Sequence, residues 1–263
     1  MAPILVFDLE TVPDVAGIRV LHDLPADLPD AEVAEHAFAL RREKTGSDFL
    51  PLHLHRVVAI GCLFRDADVV RVRCLGQADA PDEARLVQDF FKVIERHTPQ
   101  LVSWNGSGFD LQVLHYRGLV HGVRAPRYWD QGEDDRDFRY NNYLSRYHAR
   151  HLDLMDLLAL YNGRANAPLD ELAKLCGFPG KLGMDGSQVW PAFQAGQLDE
   201  IRNYCETDVA NTWLLYCRFQ LMRGAWSPER YQTELELLRN TLSGLAGEHW
   251  RRFLDAWQDK SAA

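Results

Sequence analysis

The chain opens on PILVFDLE, a run rich in β-forming residues, and the same texture returns in HRVVAIGCLF and DVVRVRCLG on either side of the polar stretch RDAD. Three strands are expected, the second and third joined as a hairpin. Residues 82–97, DEARLVQDFFKVIERH, place Leu86, Phe90, Val93 and Ile94 on one stripe at helical spacing and stop at Thr98 and Pro99, which predicts a helix. LVSWN follows as a short buried strand. GSGFDLQVLHYRGLVHG reads as a glycine turn feeding a helix that closes at Gly118 or Gly122, and HLDLMDLLALY as a strand passing into a helix. The order β-β-β-α-β-α-β-α predicts an α/β layered domain with a mixed sheet.

Two connections are long: residues 13–54, with a helical pattern near AEVAEHAFALRREK, and the polar, aromatic residues 124–151. Connections of that length are usually functional or lack order. From Ser227 the tail starts with an N-cap serine and a proline at the first helical position, then continues with amphipathic spacing. Two packing helices are expected there. The expected division is one domain over 1–222, with insertions at about 13–54 and 124–151, and a C-terminal helical extension over 223–263 packed on it. No repeat, low-complexity tract or Gly/Ser/Pro-rich linker divides the chain.

With 263 residues and 46% hydrophobic content, one substantial core can be buried, and disordered, collagen-like and membrane classes are excluded. The opening MAPILVFDLETVPD has acidic residues where a leader would need basic ones, and no stretch nears the length of a transmembrane span, so a cytoplasmic protein is expected. Five cysteines without C-x-x-C spacing read as small core residues rather than a disulfide framework or zinc site. Twenty-nine Lys and Arg against 38 Asp and Glu give −9, so any nucleic-acid contact must be local or helped by bound cations.

Three segments carry chemistry. Asp8 and Glu10 stand two apart on the first strand, so both side chains reach one face, where paired carboxylates repel unless cations lie between them. Val6, Phe7 and Leu9 make that strand a buried one, where unpaired charge is expensive and a hard-cation site is the economical explanation. In SWNGSGFDLQVL, Asp110 opens a helix; it fits a carboxylate stabilised by the helix N-terminus as well as a ligand. Asn105, beside a glycine, suits a turn-holding role or a substrate contact. In EIRNYCETDVANTWLLYCRF, Tyr204 and Asp208 are four apart and share a helix face. An aromatic at that spacing is ordinarily core; the aspartate beside it is the anomaly.

Together these segments resemble the DEDD superfamily of 3′-to-5′ exonucleases, and its tyrosine-bearing branch in particular. The motifs D-x-E, N-x-x-x-F/Y-D and Y-x-x-x-D occur in order as Asp8-Leu9-Glu10, Asn105 to Phe109-Asp110 and Tyr204 to Asp208. The position where the histidine branch would carry its histidine is Asn203. FDLETVPD, VSWNGSGFDLQVL, LAKLCGFPGKLGMDGSQVW and YCETDVANTWLLY look most like stand-alone bacterial exonucleases related to the proofreading domain of family B DNA polymerases. The likeness runs from residue 1 to about residue 220.

The resemblance implies an RNase H-like fold, a mixed five-stranded sheet flanked by helices. It implies that Asp8, Glu10, Asp110 and Asp208 hold two Mg²⁺ or Mn²⁺ ions, with Asp8 bridging, so that four negative charges meet four positive ones. Tyr204 would orient the attacking water, its ordinary pKa of about 10 making it a poor base. The substrate implied is the 3′ end of single-stranded nucleic acid, DNA in preference to RNA, met by backbone around Leu9 and Thr11 and by Asn105 and Phe109.

Arg139, Arg146 and Arg150 in FRYNNYLSRYHARH suit phosphate contact and base stacking, with a solvated hairpin of internal ion pairs as the alternative. Lys174 and Lys181 flank CGFPG, and Lys181 is read as steering phosphate or as a surface lysine. In HLDLMD, Asp156 is expected to be a helix N-cap and Asp153 a strand-end residue. The readings set against a DNA exonuclease are an exoribonuclease on small RNAs and a binding module without catalysis.

Overall fold

The computed structural model describes residues 3–76 and 82–257; residues 258–263, the end of the expected extension, lie outside the described residues. In chain order the elements are β1 (Ile4–Pro13), α1 (Val15–Leu21), α2 (Asp30–Thr45), β2 (His55–Asp66), β3 (Val69–Cys74), α3 (Glu83–His97), β4 (Gln100–Ser103) and α4 (Asp110–Val120). Then follow α5 (Pro126–Trp129), β5 (His151–Asp153), α6 (Leu154–Leu158), α7 (Leu169–Leu175), α8 (Val189–Gln194), α9 (Leu198–Met222), α10 (Pro228–Ser243) and α11 (Glu248–Ala256). The strands form one mixed sheet in the order β3-β2-β1-β4-β5, with β1 antiparallel to β2 and parallel to β4. This is an RNase H-like α/β fold.

Alternation along β1 builds the two layers. Leu5, Phe7 and Leu9 face α3 and α4, where Phe90, Phe91 and Leu114 complete a core. Ile4 and Val6 face α9, against Val209, Trp213 and Leu214. Asp8 and Glu10 continue the second stripe, so the period-2 pattern that buries Ile4 and Val6 delivers both carboxylates beneath α9.

The structure differs from the sequence expectations in places. The 13–54 connection holds α1 as well as α2. Of the two closing glycines expected for α4, Gly118 lies within the helix, which ends at Val120, and Gly122 closes it in the left-handed turn beyond. The acidic stretch 130–137 is a folded turn: Asp130 is buried and accepts amide hydrogen bonds from Gly132, Glu133, Asp134 and Asp135. The N-cap of α6 is Asp153, not Asp156, because Asp153 ends β5 with extended backbone and receives the Asp156 amide. Asp156, one turn in, pairs instead with Arg146.

Two buried ionic clusters frame the sheet. Arg117 on α4 bridges Glu83 at the start of α3 and Asp14 beyond β1, and Glu83 also accepts from the Val57 amide and contacts His121. On the other layer, Arg65 of β2 donates Nε and Nη2 to the two oxygens of Glu234 on α10, at 2.7 and 2.9 Å. Glu234→Ala would leave the Arg65 charge buried without its bidentate partner. The expected loss is about 3–5 kcal/mol in urea unfolding, whereas replacing both residues by apolar ones of similar volume should cost far less.

Candidate active site

Glu10, Asp110 and Asp208 are buried and Asp8 partly so, although each is ionisable. Asp8, Glu10 and Cys205 can bring ligand atoms within 4.8 Å of one another. Asp110 approaches from the start of α4, where its Oδ1 accepts the Leu9 amide at 2.9 Å. That amide, expected to meet substrate, is therefore engaged in positioning Asp110. Burial, then the Asp110 and Asp208 charges, pushes the Asp8 carboxyl well above the usual carboxylate range; burial, then Asp8 and Asp208, does the same to Glu10. Burial lifts Asp110 to about 7, against the opposing pull of its own amide and that of Leu9. Asp208 is raised by burial too.

The third segment adds a residue that sequence reasoning left undecided. Lys181 Nζ lies 2.9 Å from Asp208 Oδ2, contacts the Tyr204 hydroxyl and sits 4.7 Å from the Tyr204 ring centre. Burial draws its pKa down, but Asp208, Asp8 and Glu10 outweigh that and hold it above the ordinary lysine value. The loop presenting it is pinned from both sides. Asn211, one turn beyond Asp208 on α9, exchanges hydrogen bonds with the Gly180 amide and carbonyl, and Asp170 accepts the Lys181 amide at 2.7 Å. Gly180 is left-handed, and a Cβ there would stand 2.5 Å from Asp170 Oδ1, so the turn requires glycine.

Burial, followed by the Asp208, Glu10 and Asp8 charges, drives the Tyr204 phenol far up, so it stays protonated. The other oxygen of Asp208, Oδ1, is buried without any hydrogen-bond partner. A buried carboxylate oxygen left unpaired beside two further carboxylates suits an added cation, and carboxylate oxygens suit a hard one.

The Asn105–Asp110 loop is held by residues the sequence reading assigned elsewhere. Asp153 accepts the Asn105 amide at 3.0 Å and the Ser107 amide at 2.8 Å. Asn105 itself is left-handed, at φ 68°, a conformation asparagine tolerates. A Cβ on Gly106 would stand 2.3 Å from Ser103 Oγ, which is why the loop can fold down so tightly over β4. Asn105 thus shapes the turn.

Phe109 projects toward His55 and Phe49, with ring centres 5.2 and 5.8 Å away. Beside them, the β1–β2 ladder shifts register between Glu10 and Thr11, and Thr11 Oγ1 lies 2.9 Å from His55 Nδ1. Burial lowers the His55 pKa.

The three arginines of 138–151 are placed apart from the acidic centre. The Arg150 guanidinium lies 4.1 Å over the Phe138 ring and its Nε donates to the Asn141 carbonyl, so its head is engaged within the segment. Arg146 pairs with Asp156, and Arg139 is exposed. Lys174 pairs with Asp170.

Sequence reasoning passed over Gly61 and Cys205. Cys205 Sγ accepts the Gly61 amide at 3.1 Å and faces Asp8, 3.4 Å from its carbonyl and 3.7 Å from Oδ2. The available signal was a glycine inside the apolar run VVAIGCLF, which marks close approach of another backbone.

Fold and centre together define an RNase H-like α/β protein with a buried acidic site at its central strand. The chain belongs to the family described as predicted 3′-5′ exonucleases related to the exonuclease domain of PolB, which matches residues 47–257. The match takes in Asn105–Asp110 and Tyr204–Asp208 and begins after Asp8 and Glu10. Among solved structures, the chain is similar to the family B DNA polymerase of the hyperthermophilic archaeon Pyrobaculum calidifontis. Identity is 18% and the TM-score 0.50, covering 84% of this chain and 25% of that one, so the likeness spans about a quarter of the polymerase. A product-bound exonuclease I also aligns, at 13% identity and a TM-score of 0.37, covering 85% of this chain and 48% of that one. No curated protein matches the chain. No helix among the described residues is long and apolar enough to cross a membrane.

Proposed function

We propose that the chain is a metal-dependent 3′-to-5′ exonuclease of the tyrosine-bearing DEDD branch, acting on single-stranded nucleic acid and on DNA in preference to RNA. The observation that carries this reading is the buried Asp208 Oδ1, which has no partner although it shares a site with the mutually repelling Asp8 and Glu10. Asp8, Glu10, Asp110 and Asp208 would hold two Mg²⁺ or Mn²⁺ ions. Bound there, such ions supply Lewis-acid polarisation of phosphate oxygens and a water acidic enough to deliver hydroxide near neutral pH.

The chain's own residues do the rest. Tyr204, held protonated by burial and by the carboxylates, donates its O–H and fixes the orientation of the attacking water. Lys181 is the one cation in contact with both Tyr204 and Asp208 among the described residues, and it steadies both. Asp153 and Gly106 hold the loop that presents Asp110. Phe109, flanked by Phe49 and His55, offers the terminal nucleotide an apolar face next to the carboxylates. We read residues 1–222 as the catalytic unit and 223–263 as an extension whose helices α10 and α11 brace α9.

The direct test is a digest of 5′-labelled single-stranded DNA and RNA of matched sequence with Mg²⁺, Mn²⁺ or EDTA. The expected outcome is a ladder shortening from the 3′ end that requires metal and forms faster on DNA. Faster RNA shortening would make the protein an exoribonuclease. Intact strands in every lane would leave a binding module.

A further inference from the structure

Beside the Asn105–Asp110 loop, two adjoining cavities of about 410 and 140 Å³ share Ser107, Arg146, Asp153 and Asp156 in their walls. The larger begins at Asn105 and Gly108, in the loop that presents Asp110. The smaller ends against two tyrosines, Tyr147 and Tyr161. The Arg146 guanidinium lies 4.7 Å over the Tyr161 ring, and the Tyr147 ring stands edge-on to Tyr161 at 5.3 Å.

Tyr147 is 74% exposed. A ring left open to water contributes little to the fold, since its apolar face is not removed from solvent. Tyr161 is brought under Arg146 by an uncommon backbone: Leu160 and Tyr161 are successive left-handed residues, at φ 51° and 60°, neither of them glycine. Such a turn is costly for residues with a Cβ, and at this site its effect is to stack Tyr161 beneath the guanidinium. Asp156 pairs with Arg146 and Asp153 shares the walls, so the cluster carries no excess positive charge. Its chemistry is that of aromatic rings with a guanidinium stacked on one of them, which suits unpaired bases of any sequence better than it suits phosphate alone.

The geometry points to Tyr147 and Tyr161, with Arg146 stacked on the Tyr161 ring, as a stacking platform for bases of the substrate strand upstream of its 3′ end. This rests on the exonuclease reading above and adds to it a second contact region that lies outside the acidic centre. The strand would pass from the carboxylates over Ser107 to the edge of the sheet beside β5, where the cavities lead.

The test is steady-state kinetics on a dinucleotide, too short to leave the acidic centre, and on an oligodeoxythymidine long enough to cross the loop. Compared are the parent, Tyr147→Ala/Tyr161→Ala and Tyr147→Phe/Tyr161→Phe. The alanine pair should raise KM for the long strand by about tenfold or more, with kcat and dinucleotide turnover unchanged. The phenylalanine pair, which keeps both rings, should restore the parent KM. An unchanged long-strand KM in the alanine pair, with an active parent, would overturn the platform alone and leave the surface to another partner such as a protein. A parent inert on both substrates would remove the exonuclease reading and the platform with it.

Discussion

Replacing Asp8 by Asn together with Glu10 by Gln is expected to slow strand shortening by at least on the order of a thousandfold while stabilising the metal-free protein at neutral pH. The two effects have one cause. Asp8 and Glu10 are held by burial and by neighbouring carboxylates above their ordinary pKa range, as are Asp110, at about 7, and Asp208. A carboxyl whose folded pKa is raised binds more protons folded than unfolded between the two values. Its contribution is therefore most favourable below the unfolded pKa of about 4 and is lost as pH rises toward the folded one.

These four carboxyls should thus contribute less to the stability of the metal-free protein as pH rises from about 4 to about 7, against the opposite trend of His115 and His151, whose pKa burial lowers to about 4; Mn²⁺ should restore the carboxyls' share by binding the folded state. The amide pair removes two of the four groups, so its melting temperature in EDTA should fall less across that window. It should also gain less from Mn²⁺. Melting curves at several pH values, with and without the ion, check both statements. A parent that gains stability in EDTA relative to the amide pair as pH rises over that window would contradict them.

The second large effect concerns a residue with no functional group. Gly61 on β2 lies opposite Asp8 in the sheet, and α9 crosses directly above it. A Cβ on Gly61 would stand 2.8 Å from the Cys205 carbonyl oxygen, 2.9 Å from its Sγ and 3.1 Å from its carbonyl carbon. Two of those atoms are backbone, so relief requires α9 itself to move away from the sheet. Tyr204 and Asp208 flank Cys205 on that helix, and the displacement would carry both away from Asp8 and Glu10.

Gly61→Ala should therefore lower kcat about a hundredfold, the usual consequence of misplacing reacting groups by about 1 Å, and cost about 1–3 kcal/mol of stability through overpacking. Gly163→Ala is the matched control, since nothing lies within 4 Å of a Cβ there. Parallel turnover assays and urea titrations of the two variants would separate the outcomes. Parent-like kcat in Gly61→Ala would show that the helix position is not critical.

Much of this arrangement was legible along the chain because it repeats with a short period. Alternation in PILVFDLE placed Asp8 and Glu10 on one face, and the i, i+4 spacing placed Tyr204 beside Asp208. The resemblance then linked segments that no periodicity connects. What stayed hidden depends on contacts between distant residues. Lys181 looks like any lysine after a glycine turn until Asn211 and Asp170 are seen to fold that turn against α9. Asp153 and Asp156 are equally good capping residues by local rules, and only the position of the Asn105 loop shows that Asp153 also takes two of its amides. Helices α1, α7 and α8 are too short to establish a 3.6-residue stripe, so they are set by packing rather than by pattern.

The most direct measurement is a calorimetric titration of the protein with Mn²⁺, set beside the Asp8→Asn/Glu10→Gln variant. Two ions per chain are expected in the parent, with loss of at least one in the variant. No binding by the parent, or the same binding by both, would contradict the assignment of these carboxylates as a metal centre.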